Sequence, residues 1–126
     1  TYPDLVQALT DVKARSPKAR VAILTYPQIM PRDTVGCYPR MPIARGDVAY
    51  VNSIQDTLND AVRRAAKETG TIVVDVAAQS GGHDACKPSG TRWVEPMLGS
   101  TQLVPVHPDA VGEAAMARIT AETLGL

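Results

Sequence analysis

Apolar and polar residues alternate along this chain with two distinct periods. In Asp4–Arg15, Leu5, Val6, Leu9 and Val12 recur at helical spacing, and Ser16-Pro17 ends the pattern. Arg20–Thr25 carries the continuous apolar run Val21-Ala22-Ile23-Leu24, as expected of a strand covered on both faces in a parallel sheet. From Asp47 to about Glu68 the helical period returns, with Val51, Ile54, Leu58 and Val62 as its buried face, Asp47 as cap and Gly70 as stop. Thr71–Val76 is a second apolar run. A last helix extends from about Pro108 to Leu124, with Pro108 in its first position and Asp109 and Glu113 in its first turn.

Two long irregular segments separate these elements. Tyr26–Gly46 contains prolines at 27, 31, 39 and 42, and Ala77–Val106 contains Gly81-Gly82-His83 and Trp93. Long structureless segments are uncommon inside compact domains and are often functional. Both follow strands, and open α/β sheets bind ligands beyond the carboxyl ends of their strands. The alternation of strands and helices predicts an α/β fold with a parallel sheet. Two strands fall short of the four to six of an ordinary sheet, so the chain reads as part of a larger domain. Thr1 in place of an initiator Met fits a trimmed polypeptide.

Composition narrows the function. The chain is 44% hydrophobic, 21% charged and has a net charge of zero. Zero net charge and the lack of a Lys/Arg run argue against a nucleic-acid surface. No stretch is apolar enough to span a bilayer. With no Phe and only one Trp and four Tyr, the core must be mostly Val, Ala, Leu and Ile. Cys37 and Cys86 both lie in Pro/Gly-rich sequence. They are either two buried thiols or a disulfide. Their loop placement favours the bond, which implies an oxidising compartment. His83-Asp84-Ala85-Cys86 lacks the repeated spacing of a zinc motif, so no metal site and no cofactor are expected.

The chemistry concentrates at Val104-Pro105-Val106-His107-Pro108-Asp109. A histidine fixed just before a helix suits a general base that activates a nucleophile. The alternative is a histidine that caps or packs against that helix. No serine has a nucleophile-elbow setting. Ser80 precedes Gly81-Gly82 but no strand-turn-helix follows, and Asn52 and Asn59 lie within the long helix.

Ala19–Pro27, Cys37, the long helix, Thr71–Val76, Gly82–Cys86, Arg92-Trp93-Val94, His107-Pro108 and Gly112, in that order and spacing, resemble the C-terminal half of an SGNH hydrolase. The likeness is to the secreted actinobacterial type of this GDSL lipase/esterase family. It implies a three-layer α/β/α sandwich, with residues 1–126 as the C-terminal portion of one domain. It also implies a secreted or cell-envelope ester hydrolase acting on an ester or lipid substrate. His107 would be the base, and Cys37 and Cys86 would correspond to a bonded pair. The Gly-Asp-Ser nucleophile and the oxyanion hole would come from a partner N-terminal segment. The aspartate usual three residues before the histidine is replaced by Val104, so the carbonyl of Val104 or Pro105, or a carboxylate from Glu95 or Asp84, is expected to orient the ring. Tyr26, Met30 and Trp93 are candidates for a substrate cleft, and His83 for a loop-shaping role. A non-catalytic α/β binding or interaction domain is the competing expectation.

Overall fold

A computed structural model describes residues 1–33 and 35–126; Thr34, within the first irregular segment, lies outside the described residues. The elements are α1 (Tyr2–Arg15), β1 (Ala22–Leu24), α2 (Val48–Thr69), β2 (Ile72–Val74), α3 (Val76–Gln79) and α4 (Ala110–Leu124), with one turn of 3₁₀ helix at Arg45–Asp47. β1 and β2 pair in parallel, with Ala22 opposite Ile72 and Leu24 opposite Val74.

The helix ends follow local chemistry. α1 begins at Tyr2 rather than Asp4 because Pro3 tolerates a first turn, where its missing N–H has no intrahelical partner to lose. Gly70 ends α2 at φ 63°, the left-handed conformation a glycine enters freely. Lys13 reaches across from α1 and donates to the carbonyls of Thr69 and Gly70, so the two helices share a cap. Arg64 lies over the Tyr2 ring at 4.5 Å, and the Tyr2 hydroxyl bonds Glu68.

Three expectations are corrected. Asp47 precedes α2 without a side-chain capping bond, because the 3₁₀ turn already leads the chain into the helix. Asp109, not Pro108, starts α4: its carboxylate accepts from the Gly112 N–H at 2.9 Å, and Pro108 sits one residue outside. The strands are not covered on both faces. Every residue of β1 is only half-buried, whereas Val74 in β2 is fully buried.

The buried face of α2 also differs from the apolar stripe. Val48, Asn52, Gln55, Asn59, Ala65 and Ala66 are buried, while Ile54 and Leu58 are 44% and 52% exposed. The reason is the irregular segment beside the helix. Backbone groups buried without a ladder need other partners, and the amide side chains supply them. Asn59 accepts from the Tyr26 N–H and donates to the Tyr26 carbonyl. Gln55 accepts from the Ile29 N–H and donates to the Pro27 carbonyl, and Asn52 donates to the Pro31 carbonyl. Arg32 adds a bidentate ion pair to Asp56.

Two small cores result. Met30, Met41, Val48, Ala85 and Val94 form one, under the irregular segments. Val74, Val76, Trp93 and Ile119 form the other, between sheet and α4. Cys37 and Cys86 are disulfide-bonded beside the first core, with Cα atoms 5.6 Å apart. The bond joins the two long segments across 49 residues. Reducing it is expected to cost about 4 kcal/mol by chain entropy, read as the shift in urea midpoint with and without reductant.

Candidate functional site

His107 is placed by a short antiparallel pairing that the sequence does not announce. Val94 bridges to Pro108. The Glu95 N–H donates to the His107 carbonyl at 2.9 Å, Val106 N–H to the Glu95 carbonyl at 3.0 Å, and Asp109 N–H to the Trp93 carbonyl at 2.9 Å. Pairing so close demands a small residue at 112. A Cβ on Gly112 would fall 2.1 Å from the Trp93 carbonyl oxygen, so no side chain fits there.

The His107 ring is exposed, and its Nδ1 lies 3.1 Å from the Pro105 carbonyl oxygen. A carbonyl only accepts, so Nδ1 carries the proton. In the neutral ring Nε2 then holds the lone pair. The backbone partner is the carbonyl of Pro105 and not that of Val104, because the chain turns at Val106 and brings the carbonyl two residues upstream onto the ring.

Neither Glu95 nor Asp84 supplies a carboxylate to the imidazole. Both are committed elsewhere. Asp84 accepts from the Cys86 N–H. Glu95 is 1% exposed and takes a fork from Arg92 Nη2, at 3.0 and 2.8 Å, together with the N–H and hydroxyl of Thr101, both at 2.8 Å. Burial pushes the Glu95 carboxyl up. The Thr101 N–H, the Arg92 guanidinium and the hydroxyls of Thr101 and Ser100 outweigh it and hold the group at about 2. Among the described residues Arg92 Nε finds no hydrogen-bond partner, and it lies 3.9 Å from Asp109.

An apolar groove of about 360 Å³ runs along the open face of α2, between Tyr26, Ile29, Val51, Ile54 and Leu58, with Gln55 and Asn59 at its floor. Tyr26 joins this groove to the histidine: its hydroxyl donates to the Val106 carbonyl at 2.9 Å. Burial pushes the Tyr26 hydroxyl above its ordinary pKa, so it stays a donor.

The other two cleft candidates are core residues. Met30 is fully buried in the first core, and Trp93 is 5% exposed in the second. Trp93 stacks on His83 at a ring separation of 4.4 Å, and His83 Nδ1 meets the Thr91 carbonyl at 2.6 Å, so this pair shapes the second long segment. Ser80 is fully buried. Its hydroxyl donates to Ala77 and accepts from the Gln28 N–H. Asn52 and Asn59 serve the backbone rather than an oxyanion. Asp75 caps α3 and forks with Arg63, which draws its carboxyl below the usual range. Sequence reasoning missed Gln55 and Ile29. Their signal was a run of polar residues at helical spacing beside a proline-rich segment.

The profile of the GDSL-like lipase/acylhydrolase family matches residues 1–115. The chain belongs to that family. Lipase 2 of Streptomyces coelicolor is 55% identical over 127 residues, covering 100% of this chain and 43% of that protein. An esterase of Streptomyces scabiei is 27% identical over 138 residues, covering 96% of this chain and 40% of its own length. The crystal structure of phospholipase A1 from Streptomyces albidoflavus NA297 superposes with a TM-score of 0.80 at 24% identity, over 97% of this chain and 50% of that one. The chain thus spans half or less of the length of these relatives. Its α/β architecture with a small parallel sheet is that of a GDSL, or SGNH, hydrolase. Among the described residues, no helix of this GDSL-family chain is long and apolar enough to cross a membrane.

Proposed function

We propose that residues 1–126 are the C-terminal portion of a single SGNH serine ester hydrolase domain, and that His107 is its general base. The observation that carries this reading is the His107 ring itself. It is exposed at the start of α4, fixed by the bridge to Val94, and oriented through Nδ1 so that Nε2 can accept a proton. A serine on the N-terminal segment of the same protein passes its proton to Nε2 as it attacks an ester carbonyl. The alcohol leaves with that proton, and water then releases the acid from the acyl-enzyme, again with His107 as base. A backbone carbonyl fixes the tautomer of the base, but stabilises the imidazolium less than a carboxylate does. The groove beside Tyr26 suits the apolar part of an ester or lipid. No cofactor enters these steps.

Among the described residues each of the two strands has a single partner, so each leaves one edge of the sheet unpaired. The N-terminal segment of the complete domain supplies strands to this sheet, whose open edges otherwise invite pairing with another chain. The disulfide accords with a secreted or cell-envelope enzyme.

A serine-directed fluorophosphonate tests the assignment. In the complete polypeptide it labels a serine outside residues 1–126, and this chain by itself neither labels nor hydrolyses p-nitrophenyl esters. Labelling of Ser80 overturns the assignment. A complete polypeptide that neither labels nor hydrolyses supports the non-catalytic binding domain instead.

A further inference from the structure

Val106 is a β-branched residue at φ 60°, the only non-glycine residue with positive φ among the described residues. Its side chain crowds its own backbone there, so the conformation persists only if its surroundings impose it. Both of its backbone hydrogen-bonding groups are held. The N–H donates to Glu95, and the carbonyl accepts from the Tyr26 hydroxyl. The peptide whose oxygen Tyr26 holds is the one that leads into His107, and the turn it stabilises puts the Pro105 carbonyl on Nδ1. Tyr26 is itself fixed at its backbone by the two-way bond to Asn59, directly beyond β1. A rigid path therefore runs from α2 through Tyr26 to the strained turn and the imidazole.

We infer that Tyr26 is a positioning residue for His107: by clamping the Val106 carbonyl it keeps the strained turn closed and the imidazole in one tautomer. This inference rests on the reading of His107 as the base. Tyr26 touches neither the ring nor the reacting atoms. Without its hydroxyl the Val106 carbonyl loses its donor while the pairing with Glu95 on either side remains; the strained turn relaxes, the Pro105 carbonyl drifts from Nδ1, and Nε2 spends part of its time protonated and unable to act as base.

The test uses the complete enzyme with Tyr26→Phe and His107→Ala, compared with the parent on a p-nitrophenyl ester, and ¹⁵N NMR of the histidine rings. Tyr26→Phe is expected to lower kcat about tenfold with KM changed less than twofold and the thermal midpoint nearly unmoved. The His107 ¹⁵N signals should pass from the Nδ1–H tautomer to a mixture. A residue that only lines the groove would instead raise KM and leave the tautomer alone, and that result overturns the inference. An unchanged kcat with an unchanged tautomer overturns it too, while a dead His107→Ala variant leaves the base assignment standing. Full activity of His107→Ala removes the base assignment and the inference with it.

Discussion

His107→Ala in the complete polypeptide is expected to lower kcat for ester hydrolysis by about 10³-fold or more, with KM within a few-fold of the parent. A general base acts on the proton in flight, so its loss falls on the transition state and not on ground-state binding. The structure sharpens the expectation. The ring is solvent-exposed, and its hydrogen bond goes to a backbone oxygen, so removing it leaves no buried charge and opens no core cavity. Thermal unfolding of the variant should match the parent within a few degrees. Initial-rate kinetics on p-nitrophenyl butyrate decide the matter: a loss smaller than tenfold would exclude His107 as the base.

The second large effect is on stability, at Glu95. Glu95→Ala strands Arg92, which is 4% exposed, as a buried cation whose forked partner is gone. Breaking one side of a buried pair costs roughly 3–5 kcal/mol. A drop in thermal midpoint on the order of 10 °C or more is expected. Replacing both residues by apolar ones of similar size, Arg92→Met with Glu95→Leu, should cost less than Glu95→Ala alone, because the unpaired buried cation is gone and Asp109 keeps the Gly112 N–H as its donor.

Acid tells the same story with a definite sign. The folded Glu95 carboxyl is held at about 2, below its ordinary 4.5. Its contribution is therefore complete above pH 4.5 and is lost as pH falls toward 2. The thermal midpoint of the parent should decline through that window, and Glu95→Gln should show a flatter profile. Equal slopes for the two proteins would exclude Glu95 as a source of the acid sensitivity.

Much of this was legible in the residues. The period of Leu5, Val6 and Leu9 marks α1, and the run ending at Gly70 marks α2, because helix formation and helix arrest are local events. The disulfide is consistent with the loop setting of its cysteines, and the lack of a nucleophile elbow with a buried, occupied Ser80. The apolar stripe of α2 does not mark its buried face, for a physical reason. Periodicity measures how apolar each side of a helix is, not what the neighbouring segment lacks. Here the neighbour is an irregular backbone with unpaired N–H and C=O groups, and Asn52, Gln55 and Asn59 outcompete Ile54 and Leu58 for the interior by satisfying them.

The same limit explains Met30 and Trp93. Their positions in loop sequence suggested a cleft, but long-range packing drew both into cores. Nor does spacing reveal the bridge between Val94 and Pro108, since antiparallel pairing across a loop depends on where the loop closes.

The sequence by itself determined the α/β order, the glycine stop of α2 and the histidine at the mouth of the last helix, all of which follow from short-range periodicity and capping. Only the tertiary structure decided which carbonyl holds that histidine, which helix face lies open, and that Tyr26 reaches across to Val106. These depend on contacts between residues far apart in the chain, where geometry and the need to satisfy buried polar groups choose the partners.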